Sequence, residues 1–418
     1  RDSLSNLRWL DKLPKTMNEV AGKLALHIGE DVQTVTSQLK GALTTLARMA
    51  MDLVWAQTGR DAHGGGKDGT LRFANGVLPE ALHEPVTQIH AQANGLSKAL
   101  EALGVDVKAI AKDDPSQAAL CAQLYAQLGG LAPRLGSLVS TAGLLLEHGE
   151  QPLAKWLQAE SESSFLTMTA HACPIVPGDL LRQFLWSQVR GAVVTSASLT
   201  SCGSFDYFLQ EAGLSNKPYV TALEVASPFN YTAQGSLTVV HTRADPKQAD
   251  AYTAEMVRAL MDDLEQVRRG ALVLFTSRAQ MRAATEALPG HLMDMVLVQG
   301  TQSRTRLLEA HALRVNGGLP SVLFGLQSFG EGLDLPGALC ETVFIAKLPF
   351  APPSDPVDEA RAEWLKSVGR DPFNELVIPA TGVKLLQWTG RAIRTEEDRA
   401  QVICYDKRLT QTLSLIHI

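Results

Sequence analysis

Two arginines and a glutamine carry the clearest chemical signal in this chain, in the pattern Gln387-x-x-Gly390-Arg391-x-x-Arg394. The spacing predicts a helix over 381–394. On it Gln387, Arg391 and Arg394 fall at i, i+4 and i+7 and share one face. Guanidinium forks match phosphate oxygens geometrically, and Gly390 leaves room beside them, so a polyphosphate suits this face. The alternative is a solvated basic helix end. A second stretch adds to the first. Residues 321–326 read as a buried strand that runs into Gln327-Ser328-Phe329-Gly330-Glu331-Gly332-Leu333-Asp334-Leu335. A strand emptying into a loop with two glycines and two carboxylates is a common ligand-site layout at the carboxyl ends of strands in open α/β sheets.

The elements that must position these residues follow from periodicity. From Tyr219 onward strand-like and helix-like stretches alternate, which predicts a parallel sheet covered by helices. Expected strands lie at 237–241, 271–276, 292–299, 321–326, 343–347 and 402–406, with helices at 249–267, 277–288, 303–315, 358–368 and 381–394. Loops after the strands would then gather Thr276-Ser277, Gln299-Gly300 and 327–334 along one sheet edge. Pro349, Pro352, Pro353 and Pro356 mark a connection that is neither regular helix nor central strand. Upstream, residues 1–160 read as all helix, with Val32, Val35, Leu39, Leu43, Leu46, Ala50 and Leu53 on one face. Residues 61–69 form a surface loop; Gly66-Lys67 is followed by Asp68, where a phosphate loop needs Ser or Thr. Further helices are expected at 79–103, 115–129 and 131–147, stopped by Gly104, Gly129-Gly130 and Gly149. Residues 165–170 alternate as a strand does. A helix starts at Pro177-Gly178-Asp179. Residues 192–195 read as a short buried strand leading to Ser196 and Ser198, whose hydroxyls could simply satisfy backbone groups there.

Bulk properties bound these readings. A chain of 418 residues suits two to three domains, and 45% hydrophobic with 20% charged residues is ordinary globular composition. The net charge of −6 argues against a surface coated in positive charge, so a nucleic-acid partner would need a local basic groove. Cys121, Cys173, Cys202, Cys340 and Cys404 lie far apart without metal-ligand spacing, as buried thiols in a reducing compartment do. No run of 18 apolar residues occurs, and the expected setting is the cytoplasm. The last six residues, Leu413-Ser414-Leu415-Ile416-His417-Ile418, resemble the translation of a sequencing adapter and are set apart from the fold.

The two motif stretches resemble motifs V and VI of superfamily 2 helicases. With Val193-Val194-Thr195-Ser196-Ala197-Ser198-Leu199, Ser227-Pro228-Phe229-Asn230, Val298-Gln299-Gly300, Glu363-Trp364-Leu365-Lys366-Ser367 and Tyr405-Asp406-Lys407-Arg408-Leu409, the chain resembles the DinG-type, XPD-like DNA helicases from about 151 to 412. The resemblance implies an α/β fold. A RecA-like parallel sheet domain, the C-terminal helicase lobe, would span 216–412. An all-α arch-like domain over 1–163 and a segment of the first RecA-like lobe over 164–215 would precede it. It implies ATP and Mg²⁺ as cofactors. Arg391 and Arg394 would be finger arginines and Gln387 would orient the attacking water or γ-phosphate. Glu331, Gly332, Asp334 and Gly390 would line the ATP cleft. Thr195, Ser196 and Ser198, the last where the family usually has threonine, would couple that cleft to the strand-binding face. Thr276, Ser277, Arg278, Gln299 and Gln327 would touch the DNA backbone without reading bases.

The family places its Gly-Lys-Ser/Thr loop, its Asp-Glu-x-His box and the cysteines of a [4Fe–4S] cluster upstream of the helical region, and none of these occurs here. The chain therefore reads as a C-terminal portion that does not hydrolyse ATP alone and whose missing partner is the N-terminal lobe. A partial first lobe would leave an unpaired sheet edge prone to aggregation. The implied parent acts 5′→3′ on single-stranded DNA, duplexes or R-loops in repair, in the cytoplasm at the nucleoid. Two other classes stay open. One is a non-catalytic single-strand-binding module, against which Arg391, Arg394 and Gln387 speak. The other is a related nuclease, which would need clustered metal-binding acids in an added domain.

Overall fold

The structure, a computed structural model, describes residues 2–411 apart from 4–6, 30, 59–68, 150–151, 163–164, 197, 228, 331, 352–354, 391–392 and 394. The chain divides into two compact units, 1–176 with 353–369 and 177–352 with 370–418. In chain order, the first unit holds β1 (Asp2–Ser3), α1 (Leu13–Lys23), α2 (Val32–Thr58), β2 (Gly69–Arg72), α3 (Glu80–Asp113), α4 (Ala118–Gly129), α5 (Ala132–Leu146), β3 (Leu153–Glu162) and β4 (Phe165–Pro174). The second holds α6 (Pro177–Phe184), α7 (Asp206–Glu211), α8 (Tyr231–Gln234), β5 (Gly235–Val239), α9 (Ala249–Leu264), β6 (Gly270–Phe275), α10 (Arg278–Glu286), α11 (Gly290–Met293), β7 (Val296–Val298), α12 (Arg304–Asn316), β8 (Ser321–Leu326), α13 (Gln327–Gly330) and β9 (Thr342–Ile345). Helix α14 (Pro356–Ser367) returns to the first unit, and α15 (Ile378–Thr389), β10 (Ala400–Cys404) and α16 (Arg408–Gln411) complete the second.

In the first unit the long helices bury one apolar face each. Leu82, Val86, Ile89, Ala93, Leu96 and Leu100 line α3 at three- and four-residue steps. They meet Leu39, Leu43 and Leu46 of α2 and Leu135 and Leu138 of α5 in one core. Gly104 does not stop α3 as expected. The helix runs on to Asp113, and Gly104 is a buried position on its inward face.

The expectation of helix throughout 1–160 is corrected by an antiparallel sheet in the order β1-β4-β3-β2. Strands β3 and β4 pair along their length from Leu153↔Pro174 to Glu162↔Phe165, and the first unit extends to Val176. The alternation of β3 is hidden by Lys155, which sits on the inward face with no exposure. Its ammonium donates to the carbonyls of Leu145 (2.9 Å) and Glu147 (2.6 Å) and so caps the end of α5. Burial lowers its pKa. The outward face of the hairpin is covered by α14. Ala154, Ile175 and Ala360 form a small core there with Trp156 and Trp364, and Arg72 binds both Glu359 (2.9 Å) and Glu363 (2.7 Å). The loop expected at 61–69 lies outside the described residues except Gly69, which begins β2.

The second unit is a six-stranded parallel sheet, β5-β10-β9-β6-β8-β7. Alternate residues of each strand feed opposite faces. Ala271, Val273 and Phe275 of β6 meet Tyr252, Met256, Leu260 and Leu264 of α9. Leu272 and Leu274 meet Leu385 and Trp388 of α15. Expected strands and helices appear within a few residues of their predicted limits, with two exceptions. Residues 192–195 are not a strand, and Val193 is 93% exposed. An extended apolar run becomes a strand only when flanking strands satisfy its backbone groups, and no described strand pairs with it. The helix expected over 381–394 ends at Thr389.

Candidate functional site

The connections that leave the six parallel strands share one edge of the sheet, since all six point the same way. Strands β6, β8 and β7 are consecutive. Thr276, Ser277 and Arg278 after β6, Gln327 after β8 and Gln299 after β7 therefore gather on one half of it. Several of these side chains already serve the fold. Ser277 Oγ accepts from the Gln280 N–H at 3.2 Å and caps α10. Thr276 Oγ1 donates to Gln280 Oε1 at 3.2 Å, and Gln280 reaches Thr253 of α9 at 3.5 Å. Gln280, nearly buried, is a supporting residue that sequence reasoning missed. Gln299 donates its backbone N–H to Phe324 O (2.9 Å) and accepts the Leu326 N–H on Oε1 (2.7 Å), joining the end of β7 to the end of β8. Arg278 is exposed as the first residue of α10.

The bend after β8 is shaped by two glycines. A Cβ on Gly325 would lie 2.5 Å from Phe329 Cδ1, so only glycine lets Phe329 fold back onto its own strand. Gly332 has φ +69°, the left-handed region that glycine adopts without strain. Phe329, Leu333 and Leu335 are buried with Leu385 and Trp388 of α15 in one apolar cluster, so the bend and α15 share one side of the sheet. Asp334 is exposed there and Gln387 of α15 half-buried. Arg304, the first residue of α12, lies over the Phe329 ring at 5.7 Å.

Helix α15, expected to run to 394, ends at Thr389 with Gly390 as its cap and carries Gln387. A glycine following the last apolar position, Trp388, is the signal that could have found this stop. Arg391, Arg394 and Glu331 lie outside the described residues. Beyond them the chain is held by Gln234, also missed, whose Nε2 donates to the carbonyls of Thr395 (3.0 Å), Glu396 (3.0 Å) and Asp398 (3.1 Å). Thr195 and Ser196 are exposed and Ser198 half-buried; the Ser198 N–H donates to Ser196 Oγ at 3.2 Å. Just past them, Ser201 Oγ donates to Pro379 O at 2.7 Å, tying this segment to the start of α15.

The other half of the edge, after β5, β10 and β9, is occupied by charged residues bound to the fold. Asp406, fully buried, accepts from Leu348 N–H (3.2 Å) and from Arg408 through Nε (2.9 Å) and Nη2 (2.6 Å). Arg408 also covers the Phe350 ring at 4.7 Å. Burial opposes the Arg408 charge, but Asp406 holds its pKa above the usual value. Lys347 donates to Pro246 O (2.8 Å), and burial, then the charge of Arg408, lowers its pKa. Lys407 donates to Thr242 O (3.0 Å) and Arg243 O (3.3 Å). Burial pushes the neighbouring Cys404 thiol up to about 12.

Among the described residues, no three His, Cys, Asp or Glu side chains converge as a metal ion would need, and all five cysteines are free and scattered. The described residues therefore offer no ligand set for an iron–sulfur cluster. Their hydroxyls, carboxamides and exposed arginine suit phosphate oxygens. No described helix is long and apolar enough to cross a membrane.

Residues 260–414 match the helicase C-terminal domain family. Over 413 residues, 96% of its length, the chain is 33% identical to an ATP-dependent DNA helicase DinG of Photobacterium profundum and covers 58% of it. It is 34% identical to the ATP-dependent DNA helicase DinG of Escherichia coli strain K12 over 355 residues, 82% of this chain and 48% of that relative. The chain thus spans about half the length of the curated relatives it matches. In fold it is similar to a solved structure of S. tokodaii Xpd4, with a TM-score of 0.52 at 14% identity, covering 98% of this chain and 68% of that one.

Proposed function

We propose, starting from a chain related to the DinG helicases whose residues 260–414 are a helicase C-terminal domain, that it is the C-terminal portion of an ATP-dependent DNA helicase. In this reading 216–412 is the second RecA-like lobe and 1–163 an arch-like unit. The stretch up to 215 closes the first lobe. What supports the reading is the gathering of Thr276, Ser277, Arg278, Gln299 and Gln327 at the carboxyl ends of three adjacent parallel strands. Hydroxyl, amide and guanidinium donors in a row suit the phosphates of a single strand, because they position a backbone without reading bases.

The chemistry follows from two surfaces on one lobe. The strand lies along the β6-β8-β7 half of the edge. Gln387, Gly390, Arg391 and Arg394, with Glu331, Gly332 and Asp334, face a nucleotide held by another lobe. There the arginines neutralise charge building on the γ-phosphate, an effect of roughly 10³–10⁵-fold in nucleotide hydrolases. Thr195, Ser196 and Ser198 link the two surfaces. The parent moves 5′→3′ on single-stranded DNA and opens duplexes or R-loops at the nucleoid. This chain by itself binds DNA without turning over ATP.

Fluorescence anisotropy with a labelled single-stranded oligonucleotide tests the proposal. Binding is expected to weaken as salt rises, to ignore base sequence, and to fall with Arg278→Ala, whose stability stays within about 0.5 kcal/mol of the parent chain. A cooperatively folded chain that binds no oligonucleotide at low salt overturns it. DNA-stimulated ATP turnover that disappears with Arg391→Ala would overturn the statement that this chain alone is inactive.

A further inference from the structure

The segment between β7 and α12 grips the segment after β8 at two points. At its start, Gln299 Oε1 holds the Leu326 N–H at 2.7 Å. At its end, the Arg304 guanidinium stands 5.7 Å from the centre of the Phe329 ring, and a Cβ built on Gly332 would lie 3.7 Å from Arg304 Nη2. The span between is short and folded on itself. Thr301 Oγ1 donates to Val298 O at 2.8 Å, and Gly300 turns the chain with φ +96°.

The position of Arg304 is unfavourable on local grounds. It is the first residue of α12, followed by Arg306 two places on, and the first turn holds no acid. The positive end of a helix dipole repels cations. Ser303 caps the helix through the Arg306 N–H at 3.4 Å, so the arginines are not needed to start it. From this position Arg304 lies against the bend, at Phe329 and Gly332.

We propose that Arg304 is a positioning residue that couples the strand-contact loop after β7 to the bend at Gln327–Asp334. A strand engaging Gln299 shifts the 299–304 segment as a piece. The shift reaches the bend through the Leu326 N–H at one end and through Phe329 and Gly332 at the other. The inference rests on the proposed function for Gln299 as a strand contact and for the bend as part of the nucleotide cleft.

Hydrogen exchange by mass spectrometry on the full chain tests it, with Arg304→Ala and Arg304→Lys as variants. Without ligand, Arg304→Ala is expected to speed exchange of residues 326–335 about two- to fivefold, the range a surface cation–π contact supports. Exchange of β6 and the melting temperature stay unchanged. Arg304→Lys restores part of the protection, since an ammonium keeps the charge but not the planar stacking face. On adding a single-stranded oligothymidylate, the unmodified chain gains protection at 326–335. Arg304→Ala still binds the oligonucleotide and no longer passes protection to the bend. Equal exchange of the bend in the ligand-free chain and the Arg304→Ala variant overturns the positioning role. Equal transmission in both overturns the coupling. An oligonucleotide that alters exchange nowhere in the unmodified chain counts against the proposed function and against coupling, and the ligand-free comparison then decides positioning alone.

Discussion

The two halves of one sheet edge show opposite uses of polar side chains. After β5, β10 and β9 the charges are numerous but committed: Asp406 clasps Arg408, Lys347 holds Pro246 O, and Lys407 holds two carbonyls of the 242–243 segment. After β6, β8 and β7 the described residues Thr276, Ser277, Gln299 and Gln327 bring hydroxyls and carboxamides, Arg278 and Asp334 stand exposed, and the bend beside them turns on Gly325 and Gly332. A count of cations would choose the first half as the site for an anionic strand. An account of where each donor already goes chooses the second.

The largest test strikes the committed half. Asp406→Ala leaves a half-buried guanidinium and a buried N–H without their acceptor. Urea unfolding is expected to show a loss of about 3–5 kcal/mol. Oligonucleotide affinity, measured where the variant is still folded, should not change. A variant of normal stability that no longer binds DNA would reverse the comparison. Next is Gly325→Ala on the open half. The added methyl meets Phe329, and about 1–3 kcal/mol of stability should go with it. Strand binding should fall too, because Gln299 and Leu326 are moved together.

The opposite edge of the sheet supplies a control. His311 of α12 is fully buried between Ser321 (Nδ1, 3.0 Å) and Leu339 O (Nε2, 2.8 Å), and burial lowers its pKa from 6.5. The native chain keeps this ring neutral while the unfolded chain takes up a proton near its ordinary value. Stability is therefore complete above pH 6.5 and declines as pH falls below it, by at most about 1.4 kcal/mol per pH unit from this group. Denaturant titrations of the unmodified chain and of His311→Gln at successive pH values should differ in that slope. Equal slopes would show that the ring already titrates normally. The smallest effect is expected at Ser277→Ala, about 1 kcal/mol for loss of the α10 cap, read as a shift in the urea midpoint. An unchanged midpoint with weaker strand binding would mean that this hydroxyl serves the strand more than the helix.

Legibility in the sequence tracked how local the cause was. Strands β6 and β8 were readable to within a residue because both are continuous apolar runs buried on two faces. The gathering of Thr276, Gln299 and Gln327 on one edge followed from the alternation of strands and helices alone. Strand β3 was hidden because Lys155 breaks its period, and the reason for a buried lysine lies in carbonyls eight to ten residues away. The end of α15 was missed because charged residues continued the spacing of a helix that Gly390 had already stopped. Residues 192–195 have the composition of a strand, but a strand is a property of its neighbours as well. Gln280, Gln234 and Arg304 act through tertiary partners, and their own neighbourhoods in sequence carry no mark of it.

Helix α14 belongs with the first unit although the residues on both sides of it belong to the second. During synthesis the first unit must wait for its last piece until residue 369 has been joined. At ordinary elongation speeds that delay is roughly 10–40 s after residue 176. Over that interval the outer face of the hairpin, with Trp156 and Ala154, stays wet on the nascent polypeptide. A chaperone acting on the nascent chain would find a client surface on that ribbon.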